Sequence, residues 1–374
     1  MPTACPQPPV RAALARVDDI WDGPSPAPRR LTVSYLFTHH GVTGGLRVFV
    51  EHVIQLRRRG HRVRAITRGD VRSAFPPWTD AQADEDVVLP RGTPLGPGLA
   101  GSDVVVVGTY WPLPELLQVP VPALYLEQGH EILYGDVPDT PAGRSDAEGY
   151  RRAMQLPFAC AAVSPFAAAA LRERFGRRCG VIPNGIDSAR FRPAPLPFAG
   201  RVLLVGNAAL PFKGFDVALR ALARVHAAVP ALEVTWITQV PVRVDHLPFP
   251  VRLIVNPHHE RLPTLYHGHD LLLFASWYEA FGLPPLEAMA SGVPVVATQC
   301  GGILSYARPD KNCLLVPVGD DEGLARAAVR VLRDAALARR LSAAGRVTAE
   351  AFTWDKALDH LEDALLRVAS APRA

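Results

Sequence analysis

Two glutamates, Glu279 and Glu287, stand with seven residues between them in YEAFGLPPLEAMASG, the stretch from Tyr278 to Gly292. Pro284 and Pro285 suit the first turn of a helix, and Gly292 suits the position just past its end. Glu279 then lies in the loop entering that helix, and Glu287 about one turn inside it. The backbone N–H groups of Phe281, Gly282 and Leu283 point out of the helix start, an arrangement that binds anions. A carboxylate on either side can accept hydrogen bonds from sugar hydroxyls, a ribose diol included. The plainer reading of a single acid at a helix start is capping and dipole chemistry, and Glu279 alone would be read that way. Two acids framing a glycine-proline helix start, at the carboxyl end of a predicted strand, point instead to a ligand site.

Other residues have weaker claims. Lys213, in LPFKGFD, sits at a predicted strand-to-helix crossover, where a lysine suits a phosphate; the alternative is an ordinary solvated lysine. Gly44 and Gly45, in HHGVTGG, let a backbone approach a phosphate closely, but as a pair they are mainly a turn signal. The loop is neither the G-x-G-x-x-G of dinucleotide enzymes nor a P-loop. His130, in LEQGHEILYGD, follows a predicted buried strand and could touch a sugar hydroxyl or a phosphate; Glu127 and Gln128 have a similar claim, and an ordinary loop histidine is the alternative. His39-His40 and His258-His259 lack the spacing and the acids of a metal site, so no metal is expected. Arg57, Arg58 and Arg59, with Arg62 and Arg64, could meet an anionic membrane, or simply favour a helix C-terminus.

The elements that must carry these residues alternate along the chain. LTVSYLF reads as a strand from Leu31. Leu46, Phe49, Val50, Val53 and Leu56 recur at helical spacing up to Gly60, and HRVRAIT is a second strand. DVVVVG and PALYLE are short runs of the fully buried kind. Ser164-Pro165 is an N-cap and first helical position, with Gly176 as the stop. VIPNGID breaks into a turn at Asn184-Gly185, and FRPAPLPFAG (191–200) is a linker candidate. The opening pattern then recurs: RVLLVG, a loop, a helical stripe from Phe215 to Val225, LEVTWIT, VRLIV, DLLLFAS and VPVVAT. The end is helical, with the last helix starting near Thr353. The expected organisation is an extension of disorder-prone composition over 1–29, an N-terminal Rossmann-like domain over 30–193 joined by the C-terminal helix 353–374, and a second domain over 194–352.

Composition agrees with two α/β domains. The chain has 374 residues, 48% hydrophobic and 20% charged, with a formal net charge of +4. That balance excludes a strongly basic nucleic-acid binder. Cys5, Cys160, Cys179, Cys300 and Cys313 are scattered and odd in number, which fits a reducing compartment rather than a disulfide framework. The N-terminus lacks a signal-peptide core, and the apolar run from Leu156 to Leu171 is too short to span a bilayer. A cytoplasmic protein, soluble or peripherally attached at the membrane's inner face, is expected.

VIPNGID with Phe191 and Pro193, VGN…FKGFD, YEAFGLPPLEAMASGVPVVAT and GG…N-x-LLVPVGD together resemble family 4 of the retaining glycosyltransferases, over nearly the whole chain from Leu31 to about Leu366. The resemblance implies the GT-B fold: two Rossmann-like doubly wound domains facing across a cleft, the C-terminal helix crossing back to the first. It implies transfer of a sugar from a UDP-, GDP-, ADP- or dTDP-sugar to an acceptor hydroxyl, with retention and without a metal. Glu287 would hold the donor ribose. Glu279, with the backbone of Phe281, Gly282 and Leu283, would face the donor sugar. Lys213 would hold the diphosphate, helped by Gly44 and Gly45, and His130 or Gln128 would take the place of the family's sugar-proximal histidine. The nucleobase would rest near Val255, Asn256 and Pro257. The family often has an arginine where this chain has Asn207, so either another arginine serves the phosphates or the leaving group is less stabilised. The acceptor is open among a glycan, a lipid-linked molecule and a natural product. A GT-B sugar-nucleotide epimerase and a non-catalytic nucleotide-sugar-binding protein are the alternatives.

Overall fold

The computed structural model describes residues 17–194 and 198–371. The chain divides into two compact units, 1–183 with 355–374, and 184–354. Each is built on one parallel sheet.

In the first unit the strands are β1 (Thr32–Leu36), β2 (Arg62–Arg68), β3 (Glu85–Leu89), β4 (Val104–Val107), β5 (Ala123–Glu127), β6 (Ala159–Ala162) and β7 (Gly180–Val181). Their order is β3-β2-β1-β4-β5-β6-β7. In the second they are β8 (Arg201–Val205), β9 (Glu233–Thr238), β10 (Val251–Val255), β11 (Leu271–Phe274), β12 (Val295–Thr298) and β13 (Leu314–Val316), ordered β10-β9-β8-β11-β12-β13. Both sheets are doubly wound. The order reverses between β1 and β4 in one and between β8 and β11 in the other, the place where such sheets bind ligands at their carboxyl ends. Helices cover both faces, so central strands such as Val104–Val107 and Leu271–Phe274 are buried along their length, as their unbroken apolar runs require.

Local signals set several boundaries. Ser164 accepts a hydrogen bond from the Ala167 amide at 3.1 Å to start the helix Pro165–Phe175, and Gly176 ends it in the left-handed region at φ 67°. β3, β6 and β13 had no clear sequence pattern. β6 is the alanine-rich stretch ACAA, a poor strand former that is held there by complete burial between β5 and β7.

The final helix, Trp354–Ser370, belongs from Asp355 onward to the first unit. Arg59 holds it through Asp359 at 2.7 Å and Glu362 at 2.5 Å, and His61 meets Glu362 at 2.8 Å. Arg57 bonds Asp84, and Arg62 and Arg64 share Glu85. These arginines therefore face protein acids. The start of the described chain also docks: buried Asp18 receives the buried Arg177 guanidinium at 3.2 Å, and Arg367 donates to the carbonyls of Ile20 and Gly23. The passage between units falls at Pro183–Asn184, upstream of the proline-rich stretch. Ile186 bonds to the Phe352 carbonyl at 2.8 Å, and Phe191 packs its ring on Tyr266, so this segment is committed to the second unit. Among the described residues no helix is long and apolar enough to cross a membrane.

Candidate active site

The sheet reversal in the second unit brings two distant loops together. The loop after β8 ends in the single 3-10 turn Pro211–Lys213, and the loop after β11 carries Ser276 to Gly282. Gly214 makes their approach feasible: it has φ 63°, and a Cβ there would lie 2.1 Å from the Ala275 carbonyl oxygen. The Trp277 amide donates to the Phe212 carbonyl at 2.7 Å, and the Phe212 and Tyr278 rings stack with centroids 4.6 Å apart. Lys213 and Glu279, 66 residues apart, thereby form an ion pair at 2.7 Å on Oε1, which also accepts from Ser276 Oγ at 2.8 Å. The Lys213 ammonium lies 4.9 Å from the centre of the Phe212 ring. Glu279 is fixed by its own peptide, since its amide donates to the Cys300 carbonyl and its carbonyl accepts from the Gly302 amide. Burial and the Glu279 charge push the neighbouring Cys300 thiol well up, so it stays protonated.

The helix Leu283–Ala290 follows. Gly282 precedes it at φ 81° and no side chain caps it, while Pro284 and Pro285 carry no N–H. The unsatisfied donors of this helix start are thus concentrated at Gly282 and Leu283. The Gly282 carbonyl is turned inward and accepts from Tyr306, whose phenol burial keeps protonated. Glu287 lies one turn inside, 1% exposed, and its Oε2 accepts from the Tyr266 hydroxyl at 2.5 Å.

Thr238, buried at the end of β9, ties the flanking loops together. Its hydroxyl accepts from the Ala208 amide at 3.2 Å, and its carbonyl from the Asn256 amide at 2.7 Å. Asn207 begins the turn toward Lys213, its side chain accepting from the Ala209 amide at 3.0 Å. Asn256 has φ 46°, a left-handed conformation uncommon for any residue but glycine, and Val255 beside it is 40% exposed. Thr238, Tyr266 and Gly214 were invisible as site residues in the sequence, because each acts through a partner far along the chain; Ser276, three residues from Glu279, carried no pattern of its own.

In the first unit, Gly44 and Gly45 do not lie in a loop. They form the first turn of the helix Gly44–Arg58, capped by Thr43, whose hydroxyl accepts from the Leu46 amide. The correction has a physical reason: Thr43 supplies the cap, and helix packing overrides the turn preference of two glycines. Gly44 faces open space, whereas a Cβ on Gly45 or on Gly108 would come within 3.2 Å of the Gln128 amide. Glu127, fully buried, has all its capacity used inside the fold. Its Oε2 accepts from Tyr125 and Tyr150, both at 2.7 Å, and its Oε1 from the amides of Gly129 at 2.6 Å and His130 at 2.8 Å. Glu127 therefore sets the backbone that presents His130. The His130 ring packs against Tyr110 and Tyr150 and accepts from the Ile132 amide at 3.4 Å, capping the short helix Glu131–Tyr134. His40 Nε2 bonds to the Ala74 carbonyl and His258 Nδ1 accepts from the Glu260 amide. His40 also lines a hollow of about 740 Å³ with Arg72, Phe75, Pro76, Asp80 and Gln82 of the loop after β2.

The folds and sequences of known proteins meet this geometry. Sucrose-phosphate synthase from Thermosynechococcus elongatus shares the fold with a TM-score of 0.73 at 22% identity, over 88% of this chain and 97% of its own. Anabaena HepE, solved in complex with UDP-glucose, does so with a TM-score of 0.69 at 18% identity, over 89% and 99%. The fold class is therefore GT-B, an α/β architecture of two parallel sheets. Residues 199–334 match the family model of glycosyl transferases group 1. D-inositol 3-phosphate glycosyltransferase from Salinispora arenicola is 32% identical over 216 residues, 49% of this chain and 48% of that protein, so the match spans about half the relative's length. The enzyme of the same name from Xylanimonas cellulosilytica is 28% identical over 85% of this chain and 90% of its own. The likeness in sequence to the group 1 glycosyltransferases thus falls within the second unit.

Proposed function

We propose that this protein transfers a sugar from a nucleotide-sugar donor to an acceptor hydroxyl, with retention of anomeric configuration and without a metal ion. One observation carries the reading: the Lys213–Glu279 pair stands at the sheet reversal of the segment that matches group 1 glycosyltransferases, beside an uncapped helix start. Lys213 and the amides of Gly282 and Leu283 are cationic or N–H donors suited to a diphosphate. Glu279, with the Phe281 to Leu283 backbone, would accept from the donor sugar. Glu287 would take the ribose diol, exchanging its bond to Tyr266 for bonds to the ligand. Val255 to Pro257 would flank the base. His130 is the proposed sugar-proximal group of the first unit, and the acceptor would lie against loops such as 70–86.

The chemistry follows from that arrangement. The bond from the anomeric carbon to the phosphate oxygen breaks, and its electron pair goes to the phosphate. Lys213 and the helix amides stabilise the departing charge. The acceptor oxygen bonds the anomeric carbon from the face the phosphate leaves, and the phosphate takes the acceptor proton. Asn207, bound in its own turn, supplies no charge, so Lys213 carries the larger share.

The test is a transfer assay with UDP-, GDP-, ADP- and dTDP-sugars against mixed acceptors, started with UDP-glucose because HepE was solved with it. Product NMR should give the donor's anomeric configuration, unchanged by excess chelator. An inverted product would overturn retention, and activity lost to chelator and restored by a divalent ion would overturn metal independence.

A further inference from the structure

We propose that Cys160 and Cys179 form a redox-modification site in the first unit, closing into an intramolecular disulfide that staples the edge strand β7 to β6. Neither residue has a part in the sugar-transfer reading, so the two proposals stand or fall separately.

The register carries the inference. β6 and β7 run parallel with Ala161 opposite Gly180 and Ala162 opposite Val181. One step back, the register sets Cys160 of β6 opposite Cys179, the residue immediately before β7. In-register neighbours on parallel strands project from the same face of the sheet, and their backbones lie about 4.8 Å apart. That separation falls within the roughly 4.4–6.8 Å that a disulfide spans between Cα atoms. Both cysteines are free, and Cys179 is the neighbour that acts most strongly on the Cys160 thiol. Cys160 is fully buried while Cys179 is only half-buried, so an oxidant reaches the pair through Cys179. Cys179 beside it and burial push the Cys160 thiol well above the usual thiol range, so Cys160 stays protonated and serves as the buried resolving partner. Cys300 and Cys313 are both buried and sit in the second unit.

With a peroxide as oxidant the step balances. The Cys179 thiolate attacks a peroxide oxygen and the O–O bond breaks, leaving a sulfenic acid and, once protonated, water. Cys160 Sγ then attacks that sulfur and displaces its hydroxyl as a second water. Two thiols and one hydrogen peroxide give one disulfide and two waters, and the two electrons lost by sulfur are gained by oxygen. The location gives the bond a consequence. β7 is the last strand of the first unit, and the chain passes to the second at Asn184. β7 is also covered by Trp21, whose ring would lie 2.6 Å from a Cβ on Gly180. A staple at Cys179 would fix the strand that leads into the passage.

The experiment treats the reduced, folded full chain with hydrogen peroxide, then alkylates in denaturant and maps peptides without reduction. The expected result is loss of two alkylatable thiols, a mass lower by two hydrogens, one linked peptide pair joining Cys160 to Cys179, and reversal by dithiothreitol. Cys179→Ser and Cys160→Ala should each abolish the linked pair, and Cys300→Ser should leave it. If Cys160→Ala does not fold, Cys179→Ser alone decides. Full alkylation of both residues after peroxide, Cys179 recovered as a sulfinic acid beside intact Cys160, or links from Cys179 to Cys5 or to a second copy would each overturn the proposal.

Discussion

Removing the Lys213 ammonium tests the donor site most directly. In Lys213→Ala the diphosphate loses a charge-assisted hydrogen bond worth about 1.5–3 kcal/mol, which weakens binding roughly ten- to 150-fold. A second effect has the same sign. Glu279, only about a tenth exposed, keeps Ser276 as a partner but loses its counter-charge, so an uncompensated carboxylate faces an incoming anion. Lys213→Ala combined with Glu279→Gln should therefore bind a nucleoside diphosphate more tightly than Lys213→Ala alone, though less tightly than the parent. The loss of a partly buried ion pair should also lower stability by about 1–3 kcal/mol, or roughly 2–10 °C in melting temperature for a unit of this size. Calorimetric titration with UDP, GDP, ADP and dTDP gives the affinities, and thermal unfolding gives the stability. A Lys213→Ala protein that melts lower but binds the preferred diphosphate within twofold of the parent would refute the reasoning, because the lysine would then be a strut and not a ligand.

Glu127 predicts a contrast between two substitutions: Glu127→Ala strands four donors and should cost at least about 4 kcal/mol, whereas Glu127→Gln keeps an acceptor for the two amides and lets the tyrosine hydroxyls turn to accept, costing about 1–2 kcal/mol. Equal losses in urea unfolding would show that the carboxylate does not organise this turn. His52 predicts a pH dependence. Burial lowers its pKa to about 3, so the folded state holds it neutral while the unfolded chain protonates it near 6.5. The stability it contributes is complete above about pH 6.5 and is lost as pH falls toward 3, by up to about 1.4 kcal/mol per unit. His52→Leu should flatten the stability slope between about pH 6.5 and pH 5 by that amount, measured by urea unfolding against the parent. An unchanged slope would mean that His52 already exchanges its proton in the fold.

By itself the sequence determined the alternation of strands and helices, the capped helix from Pro165 to Gly176 and the proline-led helix between Gly282 and Gly292. Those features rest on interactions within a few residues: apolar spacing, a serine cap, a glycine at positive φ. Glu279 and Glu287 were legible as a pair for the same reason, since their spacing about one helix start is local.

What those residues touch was decided only by the tertiary structure. Lys213 meets Glu279 across 66 positions because the strand order of the second sheet makes β8 and β11 neighbours, and no local period encodes which loops a parallel sheet will bring together. The same holds for Tyr266 on Glu287, for Tyr150 on Glu127, and for the strand register that sets Cys160 near Cys179. It holds too for β6, where four small residues became a strand because neighbours on both sides required one. The two glycines at 44 and 45 run the other way: their local preference was for a turn, and the packing of Leu46, Phe49, Val50 and Val53 against the sheet made them the start of a helix.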